Sequence, residues 1–473
     1  MQNTEQVWQL VDDKKDLFEA LSDRIWDRPE IAYNEYNSVA EHIATLREQG
    51  FRITENLAGI PTAVMGEAGE GGPVIAILGE YDALPGLSQE AGVAEPRPLP
   101  GDGMGHACGH NLLGSGALLA ATAVKDWLAA NNMKGRVRYY GCPAEEGGAA
   151  KGFMVRAGAF DDVDIAITWH SASFAGVNDA RSLANTRIDF TFTGRASHAA
   201  ATPHLGRSAL DAVELTNVGV NYMREHMPSD ARIHYAMIDG GGIAPNVVQA
   251  KATVRYAVRA RDIAEMLPLV ERVKNVARGA ALMTETSVDI RIISAVSNLQ
   301  GNAPLERAMQ DNFERLGPPP FDAADHVFAE QIRATLSEDD LAAPYRRTGI
   351  KVRRDQPLAD FIVPLGQQGE AMIGSTDVGD VSWVVPLVQA DGATVAIGTP
   401  FHSWQLTAQG KSPLAKKGMV HAAKVMAGTA IDAIQDPGMV ARAKADLAAR
   451  LEAQPYLCPI PDDVRPPIRA KAG

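Results

Sequence analysis

Cysteine is scarce in this chain, with only Cys108, Cys142 and Cys458 in 473 residues. So few, and an odd number, exclude a disulfide framework and predict a reducing, cytoplasmic setting. Positive charge is also short. The 45 bases face 58 acids, for a formal charge of -13, and no dense basic run is present. Capture of nucleic acid or of an anionic membrane by charge is thereby excluded. An acidic substrate would need a local cationic pocket or metal ions. Long apolar runs are missing as well: the stretch 112–124 falls short of the ~20 residues that span a bilayer and contains Gly and Ser, so it predicts a buried helix. The polar, acid-rich opening residues lack the basic start and apolar core of a secretory signal. No repeat or low-complexity segment is seen. What is there is an ordinary globular composition, 46% hydrophobic and 22% charged, in a chain long enough for two or three domains.

Val7, Leu10, Val11, Leu17, Leu21 and Ile25 recur mostly at three- and four-residue steps, which predicts an amphipathic helix over 5–26 that Pro29 ends. A second helix is expected over 37–48, closed by Gly50. The apolar run 74–78 predicts a strand buried on both faces. A helix over 112–130, a strand over 136–140, a helix over 149–157 and a strand over 164–168 follow. This alternation argues for an α/β layer with a largely parallel sheet, whose ligands sit beyond the carboxyl ends of the strands. From Arg187 the pattern changes to polar-apolar alternation. A helix over 208–224, strands over 234–238 and 248–259, a helix over 263–281 and a strand over 287–293 complete a β-α-β-β-α-β order, that of a small α+β domain. The expected division is therefore 1–186 and 301–473 for the α/β layer, with 187–300 inserted. Pro318-Pro319-Pro320 separates two expected helices, and 341–368 predicts a long surface excursion. Strands are expected over 381–385 and 393–397, then a helix over 414–434, a further helix and a Pro-rich tail.

Gly105 to Asn111 packs two imidazoles, a thiol and two glycines into seven residues. Cys108 and His110 can aim at one point on a turning backbone that the glycines permit. Taken alone, the stretch fits a metal site or a glycine-bearing turn ahead of a helix equally well. Adjacent Glu145 and Glu146 point opposite ways on an extended backbone, so one can bind a metal while the other faces a reacting water. They would equally complement the dipole of the following helix. His170 and His402 each follow an expected strand. The coincidence carries weight: Cys108, His110, Glu145, Glu146, His170 and His402 all fall at strand ends or a helix entrance and converge on one crevice.

The runs His106-Ala107-Cys108-Gly109-His110 and Pro143-Ala144-Glu145-Glu146-Gly147-Gly148, with His170 and Gly194-Arg195-Ala196-Ser197-His198-Ala199, resemble the di-metal peptidase/amidohydrolase family of auxin-conjugate and N-acyl amino acid hydrolases. Gly79-Glu80-Tyr81-Asp82-Ala83-Leu84-Pro85-Gly86, Gly374 to Asp380, and Pro400-Phe401-His402-Ser403-Trp404 are similar to its aminobenzoyl-glutamate branch, of B-subunit type. The resemblance covers most of the chain. It implies a phosphorylase/hydrolase-like metallopeptidase domain around the largely parallel sheet, with 187–300 as a lid and dimerisation domain. It further implies two divalent metal ions, zinc or manganese. Cys108 would be shared, Glu146 and His402 would complete one ion, and His110 and His170 the other. Glu145 would be the general base and Asp82 would orient a ligand. His198 would reach a neighbouring site across a dimer, and Asn246 would contact substrate. His106 would support its loop, and His204 and His234 have less support. Where many relatives carry a metal-binding His this chain has Glu80, so His110 must substitute and Glu80 is a doubtful ligand. The implied activity is hydrolysis of a small N-acyl amino acid, an aroyl-glutamate foremost, by a homodimer or alongside a related A-type subunit. Dipeptidase or aminoacylase activity, or a non-catalytic subunit donating its lid, are the alternatives. No Arg can be assigned to a substrate carboxylate from the sequence.

Overall fold

The run after Pro73 illustrates how the core is built. Val74–Glu80 is buried at every position. Its Ile75 and Ile77 face one apolar cluster, and Val74, Ala76 and Leu78 face another on the opposite side. Burying each of the larger side chains contributes about 1.5–3 kcal/mol. The computed structural model describes residues 2–101, 103–367, 369–370 and 374–468. Met1, Gln368 and Gly473, which bound stretches anticipated above, lie outside them.

In chain order the strands are β1 (Arg52–Glu55), β2 (Val64–Glu70), β3 (Val74–Glu80), β4 (Gly135–Cys142), β5 (Ile165–Ala172), β6 (Gly176–Val177), β7 (Ala184–Thr193), β8 (Arg232–Asp239), β9 (Lys251–Ala260), β10 (Ser287–Val296) and β11 (Leu387–Ala393). One sheet runs β1-β2-β4-β3-β5-β11-β6. Its centre, β4-β3-β5-β11, is parallel, while β1, β2 and β6 join antiparallel. The expected parallel layer is thus the middle of a mixed sheet. The helix His110–Ala130 lies against it between Gln2–Trp26 and Pro413–Gln435. Among the described residues it is the one helix long and apolar enough to cross a membrane, yet 83% of its apolar window is buried inside the protein. It is a core helix.

The second sheet, β10-β7-β9-β8, is antiparallel throughout. The helices Ala209–Met223 and Ile263–Thr284 pack against it, each started by a side-chain cap, Ser208 accepting from the Asp211 N–H and Asp262 from the Glu265 N–H. Alternation in β9 buries one face. The edge strand β8 leaves Tyr235, Met237 and Ile238 exposed.

Four features differ from expectation. The pair β1–β2 was not anticipated, because Gly66, Gly69 and three glutamates dilute any strand signal in it. Residues 381–385 are not a strand. A short helix, Val378–Ser382, forms there instead, pinned by the Asp380 carboxylate, which accepts the Ser297 N–H at 3.1 Å and hydroxyl at 2.8 Å. Nor do 393–397 form a strand: pairing with β5 falls on Leu387–Ala393, whose Gln389 and Asp391 broke the apolar run. Finally, the excursion after 341 begins inside a helix, Glu338–Thr348, which a Ser337–Asp340 capping box starts despite Pro344.

Candidate metal centre

Gly109 adopts φ +79 at the entrance to the helix His110–Ala130, and a Cβ there would lie 2.8 Å from the Ser171 side chain. A glycine is required for both reasons. This turn projects Cys108 and His110 beside β5, where His170 stands within the strand rather than after it. The Nδ1 of His170 bonds the Ser171 carbonyl at 2.9 Å, which leaves Nε2 3.5 Å from the Cys108 Sγ. Glu145 and Glu146 follow β4 in a turn whose Ala144 has φ +57. His402 also has a positive φ, and its N–H donates to the Ala107 carbonyl, pinning its loop onto the Cys108 loop. Such outliers cost energy and persist where the surroundings over-determine them.

Asp82 ties the parts together. It accepts from His110 Nδ1 at 3.0 Å through Oδ1 and from the Glu146 N–H at 2.9 Å through Oδ2. With Nδ1 engaged by Asp82, Nε2 is the His110 nitrogen left facing the crevice, where it could ligate a cation once deprotonated. That Nε2 lies 3.2 Å from Glu80 Oε2, and neither atom has a hydrogen-bond partner despite burial. His402 Nε2 is 3.3 Å from Glu146 Oε2.

The ligating atoms of Cys108, His110 and His170 lie within 4.8 Å of one another, as do those of Cys108, Glu146 and His402. The structure therefore gathers two groups that share Cys108. Burial and the Glu146 carboxylate push the Cys108 thiol well above its usual range, so a thiolate there requires a cation beside it. Unpartnered buried acceptors and a thiol of this kind fit divalent cations.

Two more acids complete the crevice. Burial, then Glu80, Glu146 and Asp377, raise the Glu145 carboxyl well above the ordinary value. Burial would raise Glu80 too, but Lys151 and then His110 bring it below. Lys151 is fully buried and bonds Glu80 Oε1 and Asp377 Oδ1, each at 2.6 Å. Neither Lys151 nor Asp377 was singled out from the sequence as a site residue. A lysine on a short helix carries no visible signal for burial, although the run 374–380 had been marked as a motif. Two arginines were missed as well: Arg187 and Arg259, on neighbouring strands of the second sheet, line the same cavity of about 310 Å³. Arg187 donates to the Gly147 carbonyl at 3.4 Å. Burial and Arg259 lower its pKa, so an anion would be welcome there. Strand alternation showed that Arg187 lies on one face, but not that this face covers a site.

Other candidates lie elsewhere. His198 is exposed on the second domain, its Nδ1 accepting from the Ala200 and Ala201 N–H groups. Asn246 is beside it, its carbonyl accepting from the Ala199 N–H. Neither lines the cavity of its own chain. His106 is buried against the Ile25 carbonyl at 3.2 Å, apart from the donor groups.

Residues 76–350 match the peptidase family M20/M25/M40. The chain belongs to that family. It is a metal-dependent amidohydrolase, as the donor groups and the match together require. Over 478 residues, 98% of this chain and 99% of the relative, it is 45% identical to the B-type subunit of the p-aminobenzoyl-glutamate hydrolase of Escherichia coli (strain K12). It is 28% identical to the Xaa-Arg dipeptidase of Mus musculus, over 94% of this chain and 92% of that one. A Bacillus subtilis dinuclear metal binding peptidase of family M20 shares its fold, with a TM-score of 0.58 at 17% identity over 90% of this chain and 99% of that one.

Proposed function

We propose that the chain hydrolyses the amide bond of an N-acyl amino acid, an aroyl-glutamate of the 4-aminobenzoyl type. The observation that carries this reading is the placement of Glu145, a carboxyl group with a raised pKa, within 4.8 Å of the ligating atoms of His110 and Glu80, in a third group beside the two that share Cys108. The name and full-length similarity of the Escherichia coli relative support the acyl and amino acid parts.

In this reading Cys108, Glu146 and His402 would hold one divalent ion, and Cys108, His110 and His170 a second. Such ions, when bound, activate a water and polarise the scissile carbonyl. Glu145 takes a proton from the attacking water and passes it to the leaving amine. Asp82 fixes the His110 tautomer and the Glu146 backbone. Arg187 and Arg259 receive the amino acid carboxylate, through the planar guanidinium geometry suited to it. Thiolate with imidazole suits zinc, and carboxylate with imidazole also admits manganese. His198 and Asn246 act on the cavity of a second chain. The exposed Tyr235, Met237 and Ile238 of β8, with Tyr222 on the adjoining helix, provide an apolar edge for pairing lids. The partner is a second copy or a related A-type subunit. Three free cysteines suit a reducing cytoplasm.

The test is metal analysis of the purified chain together with Glu145→Gln. The expected outcome is two ions per chain in both proteins and a fall in kcat of ~10²- to 10⁴-fold on 4-aminobenzoyl-glutamate. A parental rate in the variant overturns the mechanism.

A further inference from the structure

A second cavity, of about 370 Å³, adjoins the first. Asn178, Arg347, Asp391 and Phe401 line both and form the neck between them. The neck abuts the His170 side of the donor groups. Asp391 is paired with His170 across β11 and β5, and the Phe401 ring lies 5.5 Å from the imidazole. Arg187 marks the other side, at Gly147. An amide bond held between these sides would extend one substituent toward Arg187 and Arg259 and the other toward the second cavity.

The chemistry of the second cavity decides which. Phe174, Val177, Pro344, Leu365 and Pro400 make its walls apolar. Asp179, Glu306, Asp340 and Asp391 bring four carboxyl groups and Arg347 one guanidinium; Asp179 is paired with Arg181 and Asp340 is held in the capping box, so Glu306 and Asp391 are the acids left to face a ligand. Asn178 is 6% exposed; its Nδ2 donates to Asp391 Oδ1 at 2.7 Å, while its Oδ1 has no partner. A buried acceptor left unsatisfied costs about 1–3 kcal/mol, and a ligand donor would relieve it. Phe401 and Arg347, whose guanidinium lies 6.0 Å from the ring centroid, flank the neck with surfaces suited to a flat group. A carboxylate is unwelcome in such a chamber, and a donor is wanted.

We propose that this second chamber is the subsite for the distal part of the acyl group, and that it takes an aromatic acyl group ending in a hydrogen-bond donor or a cationic amine. The proposal rests on the amide-hydrolysis reading and adds what selects the acyl half. Its wall is the helix Glu338–Thr348 and the segment after it, in the stretch where the sequence showed little periodicity.

The metal-loaded protein, in its native assembly, is assayed with 4-aminobenzoyl-glutamate, 4-carboxybenzoyl-glutamate and N-acetyl-glutamate. The expected kcat/KM for the amino compound exceeds that for the carboxy compound by on the order of tenfold or more. Ala343→Trp, at an exposed position of the chamber wall, lowers the ratio of aminobenzoyl to acetyl turnover by about the same factor, since it fills space used only by the longer acyl group. Pro364→Trp, on a separate exposed part of the wall, provides a second variant with the same expectation. Equal rates for the amino and carboxy compounds, with an unaltered ratio in both variants, overturn the subsite while leaving amide hydrolysis intact. Failure of the wild-type protein to cleave any of the three overturns the amide-hydrolysis reading, and the subsite with it.

Discussion

In the crevice, the groups that matter are each held by something else. Asp82 grips His110 and the Glu146 backbone, Ser171 orients His170, the Ala107 carbonyl anchors His402, and Lys151 neutralises Glu80 and Asp377. Beside the antiparallel sheet, His198 and Asn246 stand exposed, tied only to neighbouring backbone. Preorganisation of this kind is what a catalytic centre needs at the reacting atoms, and one chain supplies it on one side only. The contrast is the one the proposed assembly calls for: a crevice held within one chain, and His198 and Asn246 left exposed for a second chain to engage.

The largest expected effect tests that asymmetry directly. Glu145→Gln disables the crevice, and His198→Ala disables the lid, by ~10²- to 10³-fold if His198 stabilises the reacting carbonyl. Co-expressed, the two variants form mixed dimers in which one site has an intact crevice and an intact lid. A twofold assembly with random pairing then recovers about a quarter of parental activity. Activity no higher than that of either variant alone would place His198 outside the neighbouring site. Met237→Lys on β8, by charging the exposed edge, should shift the assembly toward monomer in size-exclusion chromatography.

Lys151 comes next. Lys151→Met leaves two buried carboxylates without their cation, an expected loss of about 3–5 kcal/mol in denaturant-unfolding experiments. Adding Glu80→Gln and Asp377→Asn removes the uncompensated charge and should restore most of that loss. A triple variant as unstable as the single one would show that Lys151 acts through packing rather than charge.

How much of this was readable follows from how local each signal is. Cys108 and His110 are two positions apart, and Glu145 and Glu146 adjacent, so their chemistry is dense enough to stand out. His170 and His402 became legible only through the expected strands around them. For His402 the strand was placed six residues late, at 393 instead of 387, because Gln389 and Asp391 face polar surroundings inside β11. Glu80 was visible but unassignable, since its partner Lys151, and Asp377 which shares that lysine, lie 71 and 297 residues away in sequence. The same is true of Arg187 and of the second chamber, whose walls come from distant segments of the chain. Hydrophobic periodicity specifies which face is buried, and it says nothing about which buried face meets a cavity.

Asp82→Asn probes the crevice more gently. The amide cannot accept from both His110 and Glu146 in the same way, so metal affinity, measured by chelator competition, should fall about 10–100-fold with the far-UV spectrum unchanged. Parental affinity would mean that His110 and Glu146 are held without it, and that the crevice is less tightly specified than its hydrogen bonds indicate.

The smallest expected effects compare two glycines, one in each region. Gly109 and Gly242 both lie at positive φ, +79 and +110, so alanine at either meets a backbone penalty of roughly 1–2 kcal/mol. Their surroundings differ. A Cβ at Gly242 meets nothing within 4 Å, whereas one at Gly109 lies 2.8 Å from the Ser171 Cβ. Gly109→Ala should therefore cost more stability than Gly242→Ala, and should also weaken metal binding by moving Cys108 and His110 away from His170. Removing the obstructing side chain with Ser171→Gly should return the Gly109→Ala cost toward that of Gly242→Ala. If the two alanines cost the same from the outset, the crevice has yielded by several tenths of an ångström without penalty, and the difference in rigidity between it and the lid is not one of packing.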